Sequence, residues 1–409
     1  YLVATTVIVV LAGRVADAYG KTRILLASMA LFVAASLVGG LATSFPLLVA
    51  ARAVQGVGAA AMIVLPPALV REYIAPERIG RAMGAIGSSM ATGMALGPAL
   101  GGLLIGAFGW RGTLLTLVPL GLVAMLLAGG TFRAAVPQGA AEFRVDKAGL
   151  AFLTVALGSY TVAVTVQPGG WVGSAALLVV SALSIGGFIL TELRVAEPLV
   201  DLALIRSIDV VPGFVMAFLV SAVMITFMTV SPFYLTRGLG LDNATMGVVL
   251  AIGPVIGILS GIPAGRLVDR HGPIRIAVFG TVLLTVASLV FATVSAPLGL
   301  VGYVVAAVLL TPGNQLFMAA NNAATFAKAG KLQQGAISGL LGLARNLGTI
   351  SGVGLMALLF DTVSAGHAVA AGAVLGLRAT FAVAAAMAVT ALVLALRQRA
   401  AARAMARVA

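Results

Sequence analysis

The chain has 409 residues, 61% of them hydrophobic and only 9% charged, against about 45–50% apolar and about 25% charged in a soluble protein. At a mean hydropathy of +1.14 no water-soluble fold hides this much apolar surface, so the solvent is a lipid bilayer. The net charge of +13 does not mark a nucleic-acid binder, because the bases sit in short runs between apolar stretches and not on one face. The absence of cysteine excludes disulfides, thiolate metal sites and cysteine nucleophiles.

Crossing about 30 Å of hydrocarbon takes roughly 20 apolar residues in a helix, and only helices or closed barrels satisfy every backbone group there. Nothing alternates with a period of two, which excludes barrel strands. In chain order, residues 1–12 form an apolar run too short to cross alone. Spans are then predicted over 22–43, 46–71, 82–107, 112–133, 148–166, 172–191, 210–235, 244–265, 274–294, 298–325, 335–360 and 379–396. The expected fold is an all-α polytopic membrane protein. It divides into a helix bundle over 1–133, two inserted transmembrane helices with flanking cytoplasmic loops over 134–208, and a second bundle over 209–409.

Orientation follows from the bases. With the 13–23 loop on the cytoplasmic side and the sides alternating, nearly all of the 25 lysines and arginines fall on that side. Only Arg111, Arg237 and Arg378 fall on the other, and Arg52 and Arg345 lie within spans. That is the positive-inside bias, and it places the C-terminus in the cytoplasm. The same alternation starts the chain outside, so one helix and the outer part of the next are expected upstream.

Four charges crowd into "GRVADAYGKTR" (13–23), and "GRLVDRHGPIR" (265–275) repeats its G-R-x-x-D-x-x-G-x-x-R pattern 252 residues later. Gly93 and Gly97 likewise match Gly348 and Gly352 at an offset of 255. Duplication of a helix bundle accounts for both. A carboxylate at a helix N-terminus gains about 0.3–1 kcal/mol from the dipole. Asp17 is therefore expected to cap the span beginning near Gln334 and Gly335 and to pair with Arg71. Asp269 is expected to cap the span beginning near Gly80. The plainer alternative is that both are solvated loop charges.

Ionisable residues inside a span are functional candidates by default. Arg52 could hold a nearby carboxylate in its charged form, or simply snorkel to the interface. No acid lies mid-span. Asn314, Gln315, Asn321, Asn322, Arg345 and Asn346 are the remaining embedded polar groups, read either as interhelical glue or as lining of a central cavity. Met224, Phe227, Phe233 and Met318 could add adaptable apolar contacts, or serve ordinary packing. Pro98 and its neighbouring glycines are expected to bend the 82–107 helix and permit tight packing. No Ser-His-Asp arrangement, metal cluster or phosphate-cradling loop supports an enzyme, and no cofactor is implied.

The chain resembles the major facilitator superfamily over essentially its whole length. Gly13, Arg14, Asp17, Gly20, Lys21 and Arg23 look like that family's cytoplasmic gate motif, repeated by Gly265, Arg266, Asp269, Gly272 and Arg275. Arg52, Gln55, Gly56 and Gly58 look like its R-x-x-q-G-x-g motif. Gly93, Gly97, Pro98, Gly101 and Gly102 look like its antiporter motif. The two inserted spans, with "GWRGTLLTLVPLG" and "ELRVAEPLVDLALIRS", are similar to the fourteen-helix drug:proton antiporters, and the chain departs from them in carrying Leu117 before Val118-Pro119 where an Asn is usual.

The resemblance implies proton-coupled efflux of lipophilic or amphipathic small molecules by alternating access at a bacterial plasma membrane. Arg52 and Gln55 would belong to the proton relay, and the first helix would supply the acid. The implied partners are the small-molecule substrate, protons and membrane lipid, with no nucleic acid and a monomeric carrier. Two alternatives stay open: a dedicated exporter of one metabolite or antibiotic, and a non-transporting membrane sensor.

Overall fold

A computed structural model describes residues 1–131, 146–166, 170–195, 210–293, 295–328 and 334–408. Among these residues there is no strand. The helices are α1 (Leu2–Tyr19), α2 (Lys21–Gly40), α3 (Phe45–Tyr73), α4 (Ile79–Thr131), α5 (Lys147–Thr165) and α6 (Gly170–Glu192), followed by α7 (Val211–Phe233), α8 (Asn243–His271), α9 (Pro273–Thr293), α10 (Ser295–Ala327), α11 (Gln334–Ser364) and α12 (Val369–Val408). Eleven segments among the described residues are long and apolar enough to cross a membrane.

The predicted spans map onto these helices, with instructive differences at their ends. The 82–107 and 112–133 spans are two arms of α4, broken at Gly109, where φ is 67°. The charged 13–23 segment, expected as a loop, is helix through Tyr19. Ala16 and Ala18 favour helix, charge does not end one, and only Gly20 does. Its φ of 93° is a conformation that a side chain would strain. For the same reason α12 runs well past the predicted 379–396 at both ends.

The described chain forms two compact units. One comprises Tyr1–Tyr73, Leu96–Ser207 and Ala329–Leu343; the other comprises Ile74–Ala95, Ile208–Lys328 and Ala344–Ala409. Each thus draws a short segment from the opposite half of the sequence.

In the first unit the core is built of small residues, and helices meet backbone to backbone. A Cβ at Gly56 would stand 2.5 Å from the Tyr1 carbonyl of α1, and one at Gly58 would stand 2.7 Å from the Ser28 carbonyl of α2. These two glycines let α3 dock on both neighbours, the close approach that small residues permit in lipid. The start of α11 closes the same unit. Ser338 donates from Oγ to the Val64 carbonyl, and Gly342 faces Val9 and Val64. In the inserted pair, Ser181 Oγ on α6 donates to the Ala156 carbonyl of α5 at 2.8 Å.

The second unit has an aromatic core. Phe227, Phe291, Tyr303 and Phe381 are fully buried, and the Phe291 and Phe381 rings stack 4.2 Å apart. Glycines again set the crossings around it: Gly280 and Gly313 bring α9 against α10, and Gly348 and Gly352 of α11 seat on α7 at Phe218 and Ala222.

Candidate functional site

Both copies of the charged motif end in the same one-residue turn. Gly20 (φ 93°) and Gly272 (φ 83°) donate their N–H groups to Ala16 and Val268, at 3.0 and 2.9 Å. The aspartate three residues earlier lies on the last turn of its own helix, where the dipole disfavours a negative charge. Each copy answers that differently.

In the first copy Asp17 pairs with Lys21, one turn on and across the glycine, at 3.2 Å. The same ammonium donates to Glu72 Oε2 at 3.0 Å, so one cation, only 9% exposed, ties α1 and α2 to the end of α3. Asp17 is thus ion-paired with Lys21, and among the described residues no ion pair joins it to Arg71. Gln334 and Gly335 open α11 as expected of the capped span, but the surroundings of their side chains, and the side chain of Arg14, lie outside what is described. Gly13 is buried and Arg23 is exposed.

In the second copy Pro273 occupies the position of Lys21, and the carboxylate turns to backbone. Asp269 accepts from the Gly80 N–H at 2.6 Å and from the Arg81 N–H at 2.9 Å. These are orphan donors of the first turn of α4. The approach is possible because α4 and α8 cross through glycines. A Cβ on Gly80 would overlap the Asp269 carboxylate, one on Gly84 the Gly261 carbonyl, and one on Gly265 the Gly80 carbonyl. Arg266 and Arg275 are exposed and do not enter this contact.

Arg52 lies on α3. Its guanidinium donates to Gln55 Oε1 and stands 4.7 Å above the Tyr1 ring. Gln55, 1% exposed, donates to Ser36 Oγ at 2.7 Å. A polar line thus runs from α3 into α2 without a carboxylate, and the ion pairs found among the described residues are both at Lys21.

Four helices of the second unit enclose a cavity of about 70 Å³ lined by Gly87, Met90, Met224, Met228, Gly253, Pro254, Thr311, Asn314, Gln315 and Met318. Gln315 braces its wall. Its Nε2 donates to the Gly257 carbonyl of α8 at 2.8 Å, while its Oε1 lies against Gly87 of α4, where a Cβ would stand 2.6 Å away.

Of the residues expected at a cavity, the structure brings together Met224, Asn314, Gln315 and Met318. It places Phe227 in the aromatic core, 5.7 Å from Phe291. Asn321 donates to the Gly213 carbonyl at 3.1 Å, and Arg345 donates to Asn322 Oδ1 at 3.2 Å; both contacts join helices. Asn346 is half-buried. Sequence reasoning missed Thr311. The signal for it was spacing: 311, 314, 315 and 318 recur at i, i+3, i+4 and i+7, one face of a helix.

The antiporter-like glycines behave unlike their counterparts. Gly93 and Gly97 have open space where a Cβ would stand, so the tight packing of α4 is at Gly80 and Gly84 instead. Its break is at Gly109, and the helix runs through residue 98 unbroken. The packing around Pro98, Gly101 and Gly102 lies outside the described residues.

The sequence profile of the Major Facilitator Superfamily matches residues 1–353 and, separately, 214–407, an overlap in keeping with the internal repeat. The chain is 30% identical over 290 residues to the multidrug resistance protein B homolog of Mycobacterium tuberculosis, covering 69% of this chain and 53% of that protein. It is 31% identical over 298 residues to the tetracenomycin C resistance and export protein of Streptomyces glaucescens, covering 71% and 54%. The chain therefore spans about half the length of these curated relatives. In fold it is similar to the human organic anion transporter MFSD10 (TETRAN), with a TM-score of 0.68 at 17% identity, covering 96% of this chain and 81% of that one. With the duplicated motif, the helical units and a profile match along almost the entire chain, the protein belongs to the Major Facilitator Superfamily.

Proposed function

We propose that the intact protein is a secondary transporter of the plasma membrane, exporting lipophilic or amphipathic small molecules in exchange for protons by alternating access, as a monomer with its C-terminus in the cytoplasm. The observation that carries this reading is the contact between Asp269 and the start of α4. It ties a helix from the first half of the sequence to one from the second. An exposed helix-terminus charge contributes about 0.3–1 kcal/mol, enough to bias a resting state and little enough to release.

Relatives named for multidrug resistance and for antibiotic export support the outward direction and the small-molecule cargo. Proton coupling draws on Arg52, whose charge is met by an amide and a ring and not by an acid. Such a cation favours the ionised form of a carboxylate brought beside it. One relative is named for a single compound, tetracenomycin C, which supports a second reading as a dedicated exporter.

The test is efflux from energised cells expressing the full-length protein, using a panel of uncharged and cationic dyes. Extrusion of several dyes, abolished by a protonophore, is the expected result. Extrusion of none, or efflux indifferent to the protonophore, overturns the first reading; extrusion confined to one metabolite establishes the second.

A further inference from the structure

Among the described residues that line the cavity of the second unit there is no ionisable side chain, and the polar groups are one hydroxyl and two amides. Thr311 is 3% exposed, and its hydroxyl makes no hydrogen bond. That hydroxyl lies 3.5 Å from where a Cβ on Gly253 would stand, in the cavity wall. Most buried hydroxyls elsewhere in this unit turn back onto their own helix; those of Ser231 and Tyr303 are also unpaired, but neither residue lines the cavity. Thr281, Thr285, Ser288 and Thr380 each donate to the carbonyl four residues earlier, at 2.8–2.9 Å. A buried hydroxyl left unpaired is costly, and such groups are rare without a purpose.

Four methionines from three helices supply most of the remaining wall: Met90 on α4, Met224 and Met228 on α7, and Met318 on α10. Thioethers are polarisable, contact aromatic rings favourably and rearrange at little cost. An ion entering the same space would shed its water and find no counter-charge.

We infer that this cavity binds the uncharged, planar aromatic part of a ligand through a hydrogen-bond acceptor that takes the Thr311 hydroxyl. The methionines close on its faces, and the half-buried Asn314 amide provides a second polar contact. The volume of about 70 Å³ is roughly half that of an engineered cavity of about 150 Å³ that takes benzene. A ring therefore enters only as the methionine side chains swing aside, and Met90, half exposed, is the one at the mouth. The inference rests on the transport reading for its purpose, and it is tested apart from it.

The full-length protein in lipid nanodiscs is titrated with Nile red, an uncharged fused-ring dye with a carbonyl acceptor, and with ethidium, a permanent cation. Binding is counted against empty nanodiscs. Nile red should bind saturably and resist displacement by ethidium. Thr311→Val, which keeps the shape and removes the hydroxyl, should weaken Nile red about five- to tenfold, the worth of one hydrogen bond, while Thr311→Ser should retain it. Equal affinity of wild type and Thr311→Val for Nile red, or displacement by ethidium, overturns the assignment. Thr311-dependent binding without Nile red extrusion from cells upholds the site and sinks the transport reading. Dye extrusion without Thr311-dependent binding does the reverse.

Discussion

At Gly20 and Gly272 the backbone turns alike, yet the aspartates three residues earlier end on unlike partners. Asp17 shares a largely buried ammonium with Glu72; Asp269, exposed, caps α4 through two backbone N–H groups. A single position supplies the ion pair of the first copy, because Lys21 there is Pro273 in the other. The turn geometry belongs to the glycine, and the electrostatics belong to whatever follows it. The other duplicated pair diverges in the same manner: Gly348 and Gly352 carry a helix contact, whereas Gly93 and Gly97 face open space.

The largest effect expected from breaking this comparison is at the α4–α8 crossing beside Asp269. Gly84→Leu forces a side chain into the Gly261 backbone and should destabilise by about 3 kcal/mol or more, beyond ordinary overpacking. Gly93→Leu, nine residues along the same helix, should stay within about 0.5 kcal/mol of wild type. Heating the detergent-purified full-length protein and following the surviving monodisperse fraction separates the two.

Next comes Lys21→Met, which removes the ammonium that Asp17 and Glu72 share. Removing one partner of a fully buried pair costs about 3–5 kcal/mol. Because both carboxylates keep some solvent contact, about 1–3 kcal/mol is expected here. Adding Asp17→Asn and Glu72→Gln to Lys21→Met should recover part of the loss in the same assay.

Asp269→Asn should cost less, about 0.5–1 kcal/mol, since the amide retains one acceptor and forfeits the charge–dipole term. If alternating access uses this contact, the variant should also raise labelling of a cytoplasm-facing reporter cysteine at the start of α4. Salt gives the finest distinction. Screening acts over about 10 Å at 0.1 M and spares buried pairs. The penalty of Asp269→Asn should therefore shrink in 1 M salt, whereas that of Lys21→Met should hardly change.

The spans were legible because apolar runs of membrane length have few other uses, and the duplicated motif was legible because its charges stand out against so apolar a background. The ends of helices were not. The charges at 13–19 and beyond Arg397 suggest loop, but nothing in Asp17 or Arg399 stops a helix, and only the glycine of the motif does. The cavity was half legible. Asn314 and Gln315 announce themselves as amides inside a span. Thr311 does not, because a threonine in a helix ordinarily satisfies itself on its own backbone, and this one leaves its hydroxyl unpaired. Phe227 was misplaced for the opposite reason: an aromatic ring suits a binding site and a core equally well, and Phe291, Tyr303 and Phe381 decide the matter here.

The exchange of segments between the halves of the chain also sets a timetable for biogenesis. The first unit is not complete until Ser338 reaches the Val64 carbonyl and Gly342 settles on Val9 and Val64. At about 5–20 residues per second of synthesis, those residues leave the ribosome roughly 15–50 s after α3 does. During that interval α1 and α3 wait in the membrane with an unsealed seam, open to the insertion machinery and its proteases. A chain stopped short of α11 should be cleared by the cell even though most of its spans are already made.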